Sequence, residues 1–338
     1  MVRINFESFR YFLYGLFFLA FASFYVLLVN PLLLPVTKST EKIDVSQGKL
    51  YDSVFYLTEF GIQRTYYATD VLNEVADYIY KNFKDNGCDE VEFQKYIVKE
   101  KEYKNVICRY KGEGDKIVVG AHYDVYGEYV QTVSGKMLFG VYKGADDNAS
   151  GVAGLLELSR LVGIGKLNKN IEFVAYTLEE PPFFDSEEMG SYIHAKSLFD
   201  KNEKINFMMS LEMIGLFGDN LEQSYQMKFQ NRFYPKNGTF IALVGTLFDF
   251  NIRELKKNMV SYSSIDIESM SAPRFIKGID YSDHKNYWDF GYNAYLVTDT
   301  GFLRNKNYHN ENDTIEKLNF EKMAEVVKGL YGILKEAK

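Results

Sequence analysis

Two short stretches hold the residues best suited to chemistry. Gly120-Ala121-His122-Tyr123-Asp124 ends an apolar run, and Gly144-Ala145-Asp146-Asp147-Asn148-Ala149-Ser150-Gly151 opens an apolar-periodic one. A Glu179-Glu180 pair follows a second apolar run, and Glu212 ends a third, after Met208, Met209 and Leu211. The chain has only four histidines, His122, His194, His284 and His309. Imidazole nitrogens and carboxylate oxygens at about 2 Å are typical zinc ligands. His122 can supply the imidazole. On an extended strand Asp124 shares its side and can accept its other N–H, fixing the tautomer. Asp146 sits in a turn directly before a helix, where its carboxylate can reach inward and be shared by two metals. Asp147 and Asn148 read as capping or supporting groups. Glu179 and Glu180, beside apolar Phe173, Val174 and Ala175, are costly there unless positive charge compensates them. Adjacent residues face different ways, which suits one base and one ligand.

The elements that must position these groups follow from periodicity. Lys116–Ala121, Asn170–Leu178 and Ile205–Leu211 read as short strands buried on both faces. Thr239–Val244 and Ala294–Thr298 are further strand candidates, and Glu90–Lys99 and Asn105–Tyr110 alternate like strands. Ala68–Phe83, Ser150–Leu161, Ser191–Phe199 and Phe320–Leu334 read as helices, with Ser150 as an expected N-cap. This alternation predicts an α/β fold, a doubly wound, mostly parallel mixed sheet with helices on both faces. Ligands in such folds sit beyond the C-terminal ends of strands. His122, Glu179, Glu180 and Glu212 all fall there.

Tyr11–Leu34 carries no charge and only one strongly polar side chain, Asn30. It is long enough to cross a hydrocarbon core of about 30 Å. Arg3 and Arg10 precede it, and the positive-inside bias places the rest of the chain outside the cytoplasm. The expected organisation is a membrane anchor over 1–35, a stalk over 36–50 and a catalytic domain over 51–338. Insertions are expected around 181–189 and 215–281. The net charge of −7, without a long basic block, argues against nucleic acid as a partner. Two cysteines, Cys88 and Cys108, make no disulfide scaffold; they can pair or stand as buried thiols.

In these motifs the chain resembles the di-zinc exopeptidase family of the bacterial leucyl aminopeptidases. Glutamate carboxypeptidase II, the transferrin receptor ectodomain and the glutaminyl cyclases are related to that family. The resemblance runs from about Leu57 to Leu334 and lies in the combination and order of the motifs. It implies two zinc ions per chain, with His122 and Glu212 on one and Glu180 and His309 on the other. Asp146 would bridge them, Glu179 would be the general base and Asp124 would orient His122. His309 enters this set through Tyr308-His309-Asn310-Glu311-Asn312-Asp313-Thr314. Two departures stand out. Glu212 replaces the family's usual Asp, and Pro181–Glu188 intervenes before Met189-Gly190-Ser191, where it would shape the entrance to the cleft. The implied activity is hydrolysis of N-terminal residues from peptides by a single-pass membrane protein. The alternatives are a glutaminyl-peptide cyclase, a carboxypeptidase, or a receptor-like ectodomain without activity. A carboxypeptidase would need a basic clamp, for which Arg274 and Lys277 are the candidates.

Overall fold

A computed structural model describes residues 6–31, 33–59, 64–131, 137–140 and 142–338; Arg3 and Leu32 lie outside them. The helices are α1 (Phe6–Phe24, continued by a π turn over Tyr25–Val29), α2 (Gln47–Glu59), α3 (Thr69–Asp85), α4 (Gly151–Gly165), α5 (Gly190–Asp200), α6 (Asn251–Tyr262), α7 (His284–Asp289) and α8 (Phe320–Glu336). The strands are β1 (Glu90–Val98), β2 (Lys101–Tyr110), β3 (Glu113–His122), β4 (Tyr129–Gln131), β5 (Met137–Phe139), β6 (Lys169–Tyr176), β7 (Ile205–Glu212), β8 (Gly218–Glu222), β9 (Asn237–Gly238), β10 (Phe240–Thr246), β11 (Asp266–Ala272) and β12 (Ala294–Thr298). Eight strands form the main sheet in the order β1-β2-β6-β3-β7-β12-β10-β11. Its centre, β6-β3-β7-β12, is parallel. The flanks turn antiparallel at β2–β6 and at β12–β10. This is the mostly parallel mixed α/β sheet that the alternation of buried strands and helices predicts.

Strand alternation explains why the central strands are apolar throughout. Ile117, Val119 and Ala121 of β3 face one core, together with Ile171, Phe173 and Ala175 of β6 and Phe207, Met209 and Leu211 of β7. Helices α2, α3, α4, α6 and α8 close that core. Val118, Val174 and Met208 face the other side, under α5 and α7. By the same period of two, His122, Glu172 and Glu212 project to this second side. Gly120 lies between them because a Cβ there would sit 2.2 Å from the Tyr176 ring.

Ser150 stands at the N-cap position of α4, as expected, but its side chain makes no capping bond. Its own backbone is helical (φ −62°, ψ −46°), and its hydroxyl donates to Asp146 O at 2.7 Å. Cys88 and Cys108 form a disulfide that ties the end of α3 to β2. The stretch expected as a stalk lies along the domain: Ser39 N–H donates to Ser261 O (2.8 Å), Lys38 Nζ to Val260 O (2.6 Å) and Ser46 N–H to Glu157 Oε1 (2.6 Å). The exposed helix Glu7–Leu27 is long and apolar enough to cross a membrane.

Candidate metal centre

His122 is the last residue of β3 and Glu212 the last of β7, its parallel neighbour. Both therefore leave the sheet on the same side and at the same edge. His122 Nε2 lies 3.2 Å from Glu212 Oε2 and 3.4 Å from Asp147 Oδ1. The other oxygen of Asp147 lies 3.2 Å from His309 Nε2, which in turn is 3.1 Å from Glu180 Oε2. Asp147 thus stands between the two imidazoles, with Glu212 beside one and Glu180 beside the other.

Asp146, expected to be shared by two metals, lies outside this group. Its oxygens are taken up by neighbours: Oδ1 accepts from Gly215 N–H (3.0 Å) and Ser150 Oγ (3.3 Å), and Oδ2 from Asn305 Nδ2 (3.0 Å). Burial and the nearby Asp299 carboxylate hold the Asp146 carboxyl well above its ordinary range. Asp147, expected to cap or support, lies between the imidazoles instead. The turn that aims it begins at Gly144, which is left-handed (φ +57°); a Cβ there would meet Asp147 O at 2.2 Å. Asp313 accepts the N–H groups of Asp146 and Asp147 at 3.1 and 3.0 Å.

Asp124 follows β3 and accepts the backbone N–H of Glu179 (3.2 Å) and of Glu180 (3.1 Å). It lies 3.6 Å from His122 Nδ1, while its carbonyl oxygen is closer, at 3.2 Å. Its side chain therefore holds the glutamate pair more directly than it holds the histidine. Glu179 Oε2 lies 3.8 Å from His122 Nε2. Ser282 donates to Glu212 Oε2 (2.8 Å) and bonds Ser210 (2.9 Å), which seats the longer Glu side chain. His309 is stacked between Tyr126 (4.1 Å) and Tyr308 (3.8 Å).

The electrostatics ask for cations. Burial pushes Glu180 up to about 7 and raises Glu179 and Glu212, because their charged forms lose water and crowd one another. For His122, burial works against the imidazolium, yet the surrounding Glu212 and Glu179 carboxylates leave it well above its ordinary value. The nearby guanidinium of Arg64 is buried and forms a structural strap. It donates to Tyr123 O (2.9 Å) and Gly144 O (3.1 Å), joining the two motif-bearing stretches. His309 Nε2 makes no aligned hydrogen bond, and Glu180 Oε1 is buried without a partner. Among the described residues, three sets that could hold a metal lie with their donor atoms within 4.8 Å of one another: His122/Asp147/Glu212, His122/Glu179/Glu180 and Asp147/Glu180/His309. Imidazole and carboxylate donors so gathered, with lone pairs unsatisfied, fit zinc.

The remaining histidines lie elsewhere. His194 contacts Glu172 (3.2 Å) and the Tyr287 hydroxyl (2.6 Å), and His284 Nε2 contacts Ile279 O (2.8 Å). Arg274 is paired with Asp289 at 2.7 Å, and Lys277 stands over the Phe302 ring. Arg64, Asn305 and Asp313 carry no signal of their own in the sequence. A lone Arg or Asn has no motif, and Asp313 is legible only as part of the His309 segment.

The model of peptidase family M28 matches residues 105–333, a span that contains every candidate ligand. The chain is 41% identical to YfbL of Escherichia coli (strain K12) over 296 residues, covering 87% of this chain and 89% of that one. It is 24% identical to a probable leucine aminopeptidase of Arthroderma otae over 322 residues, 91% of this chain and 75% of that one. The fold is similar to the crystal structure of Tannerella forsythia glutaminyl cyclase, with a TM-score of 0.62 and 18% identity over 87% of this chain and 99% of that one. With its ligand set inside the matched span, the chain belongs to peptidase family M28 and is a hydrolase of the metallo-exopeptidase class.

Proposed function

We propose that this protein is a zinc-dependent aminopeptidase that releases N-terminal residues from peptides. The observation that carries this reading is Asp147 between His122/Glu212 on one side and His309/Glu180 on the other. We assign His122 and Glu212 to one zinc and Glu180 and His309 to a second, with Asp147 shared. When bound, two such ions polarise a scissile carbonyl and lower the pKa of water. Glu179 takes the proton from the attacking water and returns it to the leaving amine. In the balanced step the water oxygen joins the carbonyl carbon, the C–N bond breaks, and the proton ends on the new amine. Asp124 keeps Glu179 and Glu180 in register by holding both backbone N–H groups. Arg274 is spent on Asp289, which weighs against a clamp for a substrate carboxylate. The aminopeptidase relative supports the same direction.

We further propose a single-pass membrane anchor at Glu7–Leu27 with the catalytic domain outside the cytoplasm. The apolar helix, Arg10 within its first part and the Cys88–Cys108 disulfide support this. Glu179→Gln tests the mechanism: zinc content should hold at two per chain while kcat falls by about 10²–10⁴. Retained activity overturns the base assignment. Conversion of N-terminal Gln peptides to the cyclic product, without release of residues from other peptides, would replace hydrolysis by cyclisation.

A further inference from the structure

The excursion after β7 contains a stretch of one charge sign. From Gln223 to Phe248 the chain carries Lys228, Arg232 and Lys236 and no Asp or Glu, in a protein of net charge −7. A 3₁₀ turn over Lys228–Arg232 fixes how these residues face. Gln230 and Tyr234 turn inward and line a cavity on the sheet. Gln230 Oε1 accepts the Met227 N–H (2.9 Å), and the Tyr234 hydroxyl donates to Ser269 O (3.0 Å). Lys228, Phe229, Arg232, Phe233 and Lys236 are left on the outside. Phe229 is 50% exposed and Phe233 47%. Among the described residues none of the three cations stands in an ion pair; Glu222, just before the stretch, faces Lys306 instead (3.7 Å).

This turn sits against the end of the apolar helix. The span long enough to cross a membrane ends at Leu27, which is itself 59% exposed. Tyr25 stands two residues before that end, about 3 Å along the axis. Its ring packs on Phe233 at 4.9 Å and lies 6.4 Å from Tyr234. Phe233 is therefore at the depth where the helix leaves the hydrocarbon, the level at which aromatic rings collect in membrane proteins. Cations among apolar rings suit that level, because the rings enter the acyl boundary while Lys and Arg meet phosphates. We infer that Lys228–Lys236 is a second membrane contact, with Phe229 and Phe233 in the interface and Lys228, Arg232 and Lys236 on anionic phospholipid headgroups. The domain then rests on the bilayer by the edge of the sheet that ends in β11, with β1, the opposite edge strand, away from it. This inference rests on the proposed membrane anchor.

Both native cysteines are tied in the disulfide, so an introduced cysteine alone takes a nitroxide label. The test places that label in the full chain, in nanodiscs containing phosphatidylglycerol. Phe229→Cys reports the turn, Phe17→Cys the apolar helix, and Ile97→Cys, at a site 67% exposed on β1, the far edge. Electron paramagnetic resonance reads collisions with oxygen, which partitions into lipid, and with a nickel chelate, which stays in water. The oxygen-to-nickel ratio should be several-fold higher at 17 and 229 than at 97. Lys228→Gln and Arg232→Gln should each lower the ratio of immersed to water-exposed label at 229 about fivefold and leave 17 unchanged. A label at 229 as open to nickel as that at 97, with 17 in lipid, overturns the contact and keeps the anchor. Asn231→Cys, on the same exposed turn, decides if Phe229→Cys fails to fold. A label in water at 17 sinks the anchor and this contact with it. Immersion at 229 that ignores both cation substitutions overturns the role of anionic headgroups. Shielding at 229 from both colliders, in a chain that runs as a dimer, gives the face to a second copy instead.

Discussion

Asp146 has its carboxylate saturated by Gly215, Ser150 and Asn305, whereas Asp147 presents one oxygen to each imidazole. An Asn at 147 would replace a shared anion by a neutral group with a donor on one side. We expect Asp147→Asn to lose zinc and to lower kcat/KM by at least about 10²-fold, since Asp147 is the carboxylate with one oxygen beside each imidazole. An Asn at 146 points an NH2 group at Gly215 N–H or at Asn305, leaving a buried donor without an acceptor. Asp146→Asn should therefore cost about 1–3 kcal/mol in urea unfolding while keeping zinc content. Zinc analysis of both purified variants checks this, and the reverse pattern would return the shared position to Asp146. The two residues differ in sequence by nothing but order. The distinction arises in the turn from Gly144 and in partners at 215 and 305, which lie far along the chain. His122, Glu180, Glu212 and His309 could be picked out because each stands at a strand end or in a recognisable segment, and the structure gathers them. The carboxylate between the two imidazoles was legible only to within one residue.

At the scale of elements, β3, β6 and β7 could be read closely from sequence because burial on both faces leaves an unbroken apolar run. The excursion after β7 could not, since its aromatic residues pack against a cavity and follow no period. Glu172 shows a further limit. It sits inside β6 in an apolar run, and its partners Arg109 (2.6 Å), Lys116 (3.4 Å) and His194 (3.2 Å) come from three other elements. His194 in turn bonds Tyr287, which bonds Tyr176 (2.7 Å), so the network braces α5 and α7 against the sheet beneath His122. Burial alone would raise the Glu172 carboxyl, but His194, Lys116 and Arg109 hold it below its ordinary range. A depressed folded pKa means that the stabilisation is complete above the unfolded value of about 4.3 and drains away as pH falls below it. Glu172→Gln should cost about 1–3 kcal/mol at pH 7, because it removes the buried anion shared by Arg109, Lys116 and His194, although Arg109 keeps Glu92 and Lys116 keeps Glu203. The gap from wild type in urea midpoints should narrow steadily below about pH 4.3. A gap that is constant from pH 7 to pH 3 would show that packing, and not charge, sets the cost.

For the whole molecule, the decisive contact joins the apolar helix to the domain. The π turn Tyr25–Val29 runs along β11, the outer strand of the sheet, covering an edge that would otherwise offer unpaired backbone groups. Tyr25 packs on Phe233 (4.9 Å), and Asn30 receives Lys256 Nζ (2.7 Å) and Ser269 Oγ (2.9 Å) while donating to Glu268 (2.9 Å). From composition alone, Asn30 is a polar blemish in an apolar span, and Asn30→Leu should strengthen the anchor. The structure gives the opposite expectation. Leucine removes three hydrogen bonds, each loss costing about 1–3 kcal/mol, and leaves Lys256 and Glu268 only their 3.9 Å ion pair. The following segment is fastened to the domain by Lys38 on Val260 and Ser263 and by Lys335 on Glu41, so undocking the helix end leaves it on fewer contacts. In nanodiscs, Asn30→Leu should make trypsin cleave after Lys38 or Lys42 several-fold faster than in the wild-type protein. Zinc content should not change, because no ligand touches this region. Equal cleavage rates would mean that this contact does not hold the helix end to the domain.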